Sequence, residues 1–320
     1  MVNQQSMSKA ALPNTFIIGV QKAGTTTLDD WLAQHPQIYC YESLKDVLLF
    51  ARFNSMAEIT QRMQKEPAAY KNEPVVLQSA VNYIFYPQYL AKLAEMRPDA
   101  KLLLILRNPL DRAVSSYGYF TKMLRENRGM EEALIYKPSD STEFSRDNSD
   151  FTYIEHGLYA KQIKSCLQYF PKEQLLVLDY DELATNPKGL LQRIYTFLNI
   201  EAFEPDLTPK NVTGSVKSQT FQDKLVNRSN ARKWFVDKII DPIFPVGKRK
   251  MLKKKLFEMN TGKKQPAVQV KQEDKETVAR IKKQLKPYFI EDAKELDALL
   301  GTSFYEQWFE KKLSTVKSKS

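Results

Sequence analysis

Two apolar runs in this chain end the same way, and that repetition restricts the fold more than any other feature. FIIG (residues 16–19) opens into a short turn carrying Lys22 and Gly24, followed by an apolar rhythm at Leu28, Trp31 and Leu32. LLLIL (residues 102–106) opens into Arg107 and the turn Asn108-Pro109, followed by Ala113, Val114 and Tyr117 on one helical face. A short unbroken apolar run suits a strand covered on both faces, and the 3.6-residue rhythm after it suits a helix. Strands alternating with helices argue for an α/β fold around a central parallel sheet. In such sheets ligands bind at the carboxyl ends of the strands. The two turns are therefore the first places to look for function.

The rest of the chain fits that plan. The spacing predicts a strand over 16–20 and a helix over about 25–34, stopped by His35-Pro36 because proline disfavours helix in the residue before it. Helices are expected over about 56–65, ending near Pro98, and through Tyr159, Ile163, Cys166, Leu167 and Phe170. A strand is expected over 175–178, and an amphipathic helix through Leu190, Leu191, Ile194, Phe197 and Leu198. Residues 127–157 read as loop-rich after a short helical start, and the basic C-terminal third closes with a helix over about 275–300. Residues 1–13 and 314–320 read as disordered tails on a single domain spanning 14–313.

Composition narrows the function classes. The 320 residues are 42% hydrophobic and 27% charged, which supplies an ample globular core. Two histidines, His35 and His156, exclude a histidine-rich metal site, and both read as structural, His35 against the last carbonyls of its helix. Two cysteines, Cys40 and Cys166, form no metal pattern and read as buried or incidental thiols of a reducing compartment. No apolar run approaches the roughly 18 residues of a membrane span, and the first 15 residues lack the apolar core of a secretory signal. A cytoplasmic location, bacterial rather than Golgi, is the expectation. The net charge of +10 calls for an anionic partner, although its densest runs, GKRKMLKKKLF (247–257) and TGKKQ (261–265), also read as solvated basic faces.

The first turn, VQKAGTTT (20–27), has the chemistry of a phosphate or sulfate cradle. A helix N-terminus presents free N–H groups and partial positive charge. Gly24 lets the backbone approach an anion, the threonine hydroxyls add donors, and Lys22 adds a full charge. Lys22 precedes the glycine, so this is not the G-x-x-x-x-G-K-[ST] loop of nucleotide hydrolases. Simple N-capping of a helix is the alternative reading. The second turn adds Arg107, with Ser115 and Ser116 eight and nine residues on. An arginine–serine pair can hold a further phosphate. Together the two turns suit a ligand phosphorylated at two ends.

At these residues the sequence resembles a known family. GVQKAGTTTL resembles the 5′-phosphosulfate loop, and LILRNPLDRAVSSY the 3′-phosphate motif, of sulfotransferases that use 3′-phosphoadenosine-5′-phosphosulfate (PAPS). The similarity is to the carbohydrate branch, the heparan sulfate sulfotransferase-like proteins of bacterial type, and runs from about Phe16 to Trp308. It implies a P-loop-like three-layer α/β fold with a helical C-terminal extension. It implies that Lys22, Ala23, Gly24, Thr25, Thr26 and Thr27 hold the 5′-phosphosulfate, with Lys22 also stabilising the leaving oxygen. Arg107 and Ser115 would hold the 3′-phosphate, completed by a later basic residue, Lys217 or the rival NTGKK segment (260–264). Tyr159 would line the nucleotide pocket, or else sit in the core.

The family's carboxylate base falls on Asp46 in SLKDVLLF (43–50), with Glu42 as competitor. Asp46 is shorter than the usual glutamate, and a leucine replaces the usual histidine. The family often has Glu-Lys-Ser/Thr in the segment where Gln78 and Ser79 stand here, and a lysine that often contacts the acceptor or the sulfate is missing, so acceptor preference does not carry over. The implied activity is sulfuryl transfer from PAPS, without a metal, to a hydroxyl or amine of a small-molecule or glycan acceptor. Aromatic residues near the motifs, Tyr83, Phe85, Tyr86, Tyr117, Tyr119 and Phe120, could stack on sugar rings or fill the core. No nucleic-acid module is visible, and the basic C-terminal region suits peripheral membrane contact. Two alternatives stand beside this reading: a nucleotide-dependent small-molecule kinase, and a PAP- or PAPS-binding protein without catalysis.

Overall fold

The structure is a computed structural model and describes residues 12–41, 44–64, 70–123, 125–135, 151–208, 215–216, 261–262 and 275–310. Strand β1 (Thr15–Gly19) leads to helix α1 (Thr25–Leu32), then β2 (Ile38–Cys40), α2 (Leu49–Arg52) and α3 (Met56–Met63). Next come β3 (Val75–Ser79), α4 (Pro87–Met96), β4 (Lys101–Leu106), α5 (Pro109–Lys122) and α6 (Met130–Ile135). A one-turn 3₁₀ helix (Glu155–Gly157) precedes α7 (Tyr159–Cys166), β5 (Leu175–Asp179), α8 (Glu182–Thr185) and α9 (Pro187–Leu198). A two-strand ladder, β6 (Ser215–Val216) with β7 (Thr261–Gly262), and the long α10 (Lys275–Leu300) complete the order.

The five principal strands form one parallel sheet in the order β2-β3-β1-β4-β5. The chain leaves β1 toward one edge of the sheet and leaves β4 toward the other. Between these neighbours the winding direction reverses, and such a switch point opens a crevice at the carboxyl ends of the strands. The two sequence-predicted turns, after β1 and after β4, are the walls of that crevice. The α/β, three-layer expectation holds: a central parallel sheet flanked by helices.

Burial explains the layers. β1 is buried at every position, and β4 from Leu102 onward, as expected for strands covered on both faces. A second cluster, including Ala113, Tyr117, Phe120, Leu134, Ile281, Leu285 and Phe289, joins α5 and α6 to α10. The buried stripe of α10, Ile281, Leu285, Phe289, Ala293 and Leu296, repeats every three or four residues, and the helix packs on α5 and α7. Asp292 on this stripe's flank accepts hydrogen bonds from the amides of Ala160 (3.1 Å) and Lys161 (3.4 Å), so α10 supplies the cap that Leu158 cannot give α7.

Several boundaries and two strands differ from the sequence reading. β1 begins one residue earlier than expected, and α1 stops at Leu32 rather than at 34. β2 and β3 have no counterpart in that reading. β2 is only three residues long, and β3 ends in Gln78 and Ser79, polar types that are buried here by tertiary packing. The His35 amide donates to the Leu32 carbonyl oxygen at 3.1 Å, and its ring bonds elsewhere. Its Nδ1 accepts from the Gln37 amide at 3.0 Å, and its Nε2 lies 2.9 Å from the Glu201 carbonyl oxygen. Cys166 is buried, Cys40 half-buried, and both are free thiols. Among the described residues no helix is long and apolar enough to cross a membrane.

Candidate active site

The turn after β1 builds the floor of the crevice. Lys22 (φ 70°) and Gly24 (φ 78°) both adopt the left-handed backbone region. At Gly24 a Cβ would sit 2.4 Å from Leu183 Cδ1 and about as close to the Tyr180 ring as 3.1 Å, so both conformation and space require glycine. Gly24 is the residue that precedes α1, and it offers no side chain to cap the helix. No acidic residue occupies the first turn of α1. The helix N-terminus is thereby left to bind an anion through its backbone donors. Ala23 and Thr25 are buried, Thr27 half-buried and Thr26 exposed.

The turn after β4 contributes side chains. Arg107 donates from Nη1 to the Lys22 carbonyl oxygen at 3.0 Å, and its guanidinium lies 4.5 Å from the centre of the Tyr180 ring. That contact ties the two walls together. Ser116 Oγ donates to Gln21 Oε1 at 3.0 Å, a second tie. Ser115, one residue earlier on α5, is half-buried. Tyr159 is 1% exposed, and its hydroxyl donates to the Arg107 carbonyl oxygen at 2.8 Å. It stands in the core and fixes the backbone that carries Arg107.

The electrostatics of Lys22 are those of an anion site. Burial, then the charge of Arg107, then that of Lys122 bring its pKa down to about 8. Its ammonium lies 4.1 Å from the centre of the Tyr119 ring. Tyr119 in turn feels the negative charge of Asp46, which, after burial, pushes its phenol upward. Tyr119 thus lies near both of the sequence-predicted reactive residues, Lys22 and Asp46. Asp46, like Lys22, is in the left-handed region, at φ 59°. Four described non-glycine residues have this conformation, and the other two are asparagines, which tolerate it. An aspartate tolerates it as an asparagine does, whereas a lysine held there costs about 1 kcal/mol or more, and such outliers cluster at functional sites.

Not every candidate is in the described residues. Glu42, Lys217, the Asn260 and Lys263–Lys264 part of its rival, and the basic run 247–257 lie outside them. Of the aromatic candidates, Tyr83, Tyr86, Tyr117 and Phe120 are buried in the core, while Phe85 and Tyr119 are half-buried. Phe85 stacks on the buried His156 at 3.9 Å. Gln78 and Ser79 are also buried. The sequence reading missed Gln21, Lys122 and Tyr180. Gln21 is adjacent to Lys22, but Lys122 and Tyr180 reach the site only through the fold.

A parallel α/β sheet with an anion cradle and an arginine at its switch point defines the class. A family model described as "Sulfotransferase domain" matches residues 12–290, most of the chain, and the chain belongs to that family. It is similar to bifunctional heparan sulfate N-deacetylase/N-sulfotransferase 1 of Caenorhabditis briggsae, at 28% identity over 62% of this chain and 24% of that protein. It is similar to heparan sulfate glucosamine 3-O-sulfotransferase 5 of Mus musculus, at 28% identity over 59% of this chain and 54% of that protein. The chain thus spans about half or less of the length of these curated relatives. Its fold is similar to the crystal structure of a sulfotransferase from Alicyclobacillus acidocaldarius, with TM-score 0.60 and 24% identity, covering 92% of this chain and 97% of that one.

Proposed function

We propose that the protein transfers a sulfuryl group from PAPS to a hydroxyl or amine of a glycan acceptor. The observation that carries this reading is the pairing of Lys22 and Asp46, both in the left-handed region and both beside Tyr119, within a chain of the sulfotransferase family. The donor fits the residues present. The open N-terminus of α1 and the cations Lys22 and Lys122 suit its phosphosulfate, and Arg107 with Ser115 suits its 3′-phosphate. The glycan acceptor is supported by the names of the two curated relatives, both heparan sulfate enzymes.

In this reading the acceptor oxygen or nitrogen attacks sulfur as Asp46 takes its proton. The bond between sulfur and the bridging oxygen breaks in line, and its electron pair stays on the phosphate oxygen. Lys22 stabilises that growing charge, so positioning and electrostatics supply most of the rate enhancement. Family membership places sulfuryl transfer ahead of phosphoryl transfer by a kinase. The test is calorimetric titration with 3′-phosphoadenosine-5′-phosphate (PAP), with AMP as control. Tight PAP binding and weak AMP binding are expected. Equal or absent binding overturns the donor assignment, and magnesium-dependent ATP turnover would favour the kinase.

A further inference from the structure

We propose that Asp29, on α1, is a positioning residue for the turn that carries Asp46. The inference rests on the reading of Asp46 as the base. Asp29 Oδ1 accepts a hydrogen bond from Ser79 Oγ, and Oδ2 pairs with Lys45 Nζ at 3.1 Å. The pair is largely shielded from water, with side-chain exposures of 15% for Asp29 and 20% for Lys45. Ser79 also accepts, through its backbone carbonyl, the Asp46 amide at 2.7 Å. Its neighbour Gln78 donates from Nε2 to the Val47 carbonyl oxygen at 2.7 Å.

Each residue of the turn is therefore tethered: Lys45 to α1, Asp46 and Val47 to the carboxyl end of β3. Asp29 and Ser79 join the two anchors into one closed clamp. The clamp fixes Asp46 in the left-handed region, which an aspartate tolerates but does not hold without support. It also accounts for Gln78 and Ser79, whose buried polar groups have no part in the proposed chemistry itself.

The clamp has an electrostatic consequence. Asp29 occupies the ammonium of Lys45, the residue next to the base. The titratable groups around the clamp are Lys45 and Cys40 beside Asp29, and Tyr119 of α5 beside Asp46, with Lys22 on the Tyr119 ring. Without the Asp29 charge, the Lys45 ammonium turns to the remaining carboxylate, Asp46. That pairing lowers the basicity of Asp46 and pulls it from its working position.

The experiment compares Asp29→Asn, Asp29→Glu and Asp46→Asn. PAPS cleavage with water as the acceptor gives the rate and its pH profile, calorimetry gives PAP affinity, and amide exchange reports on residue 46. For Asp29→Asn, cleavage falls about tenfold, the low-pH limb moves to lower pH, exchange at Asp46 quickens, and PAP affinity stays within about twofold. Asp29→Glu recovers part of the rate. If Asp29→Asn fails to fold, Ser79→Ala shows the same changes at smaller size. An unaltered rate, pH profile and exchange in Asp29→Asn overturns the inference while leaving the base assignment standing. Full cleavage in Asp46→Asn removes the base assignment instead, and the inferred role of Asp29 in catalysis falls with it.

Discussion

The turn after β1 and the turn after β4 look alike in sequence, yet they are built in different ways. The first leaves its helix uncapped: Gly24 has no side chain to offer, and the N-terminus of α1 is open to an anion. The second closes its helix. Asn108 accepts from the Leu110 amide at 3.0 Å, and Pro109 fills the first helical position, where no N–H is needed. Because α5 is capped, its turn can act only through side chains, Arg107 at the strand end and Ser115 within the helix. The first turn is a backbone cradle with one lysine; the second is a side-chain clamp. A cradle recognises charge at close range, whereas a side-chain clamp adds discrimination between ligands that differ by one phosphate.

Four substitutions or conditions sharpen that division. Lys22→Ala carries the largest expected effect, a loss of PAPS turnover of about 10²–10³-fold with unchanged thermal stability. A fully active, folded variant would remove Lys22 from the chemistry. Arg107→Ala comes next: PAP affinity falls by about 1.5–3 kcal/mol while AMP affinity changes little, measured by calorimetry. If both ligands weaken equally, the second turn is not the discriminating one.

The third is pH. Lys22 titrates near 8 in the free protein, and an anion on it favours its charged form, raising its pKa. PAP affinity is therefore full below that pH and declines above it, with net proton uptake on binding near pH 8. Calorimetry in two buffers of different ionisation enthalpy reads that uptake, and Lys22→Ala abolishes it. The smallest effect belongs to Asn108→Ala, which costs about 1 kcal/mol of stability through the lost cap. Thermal unfolding reads the cost, and PAP affinity stays at the wild-type value because that helix end is not a binding element.

The sequence by itself determined the two strand–turn–helix units, the parallel α/β plan and most helices. Those features depend on local periodicity and on single residues such as Gly24 and Pro109, whose backbone preferences act within a few positions. It also marked Lys22, Asp46 and Arg107 as the charged residues of interest. Only the tertiary structure decided what these residues meet. β2 and β3 were hidden because their burial comes from neighbouring strands rather than from an apolar alternation of their own. Tyr159 read equally well as pocket wall or core, and the fold buries it with its hydroxyl on the Arg107 carbonyl oxygen. Tyr119 near Lys22 and Asp46, the charge of Lys122 near Lys22, and the Asp29–Ser79–Lys45 clamp all join positions far apart in the chain. Such contacts follow from strand order and helix packing, which local propensity does not encode.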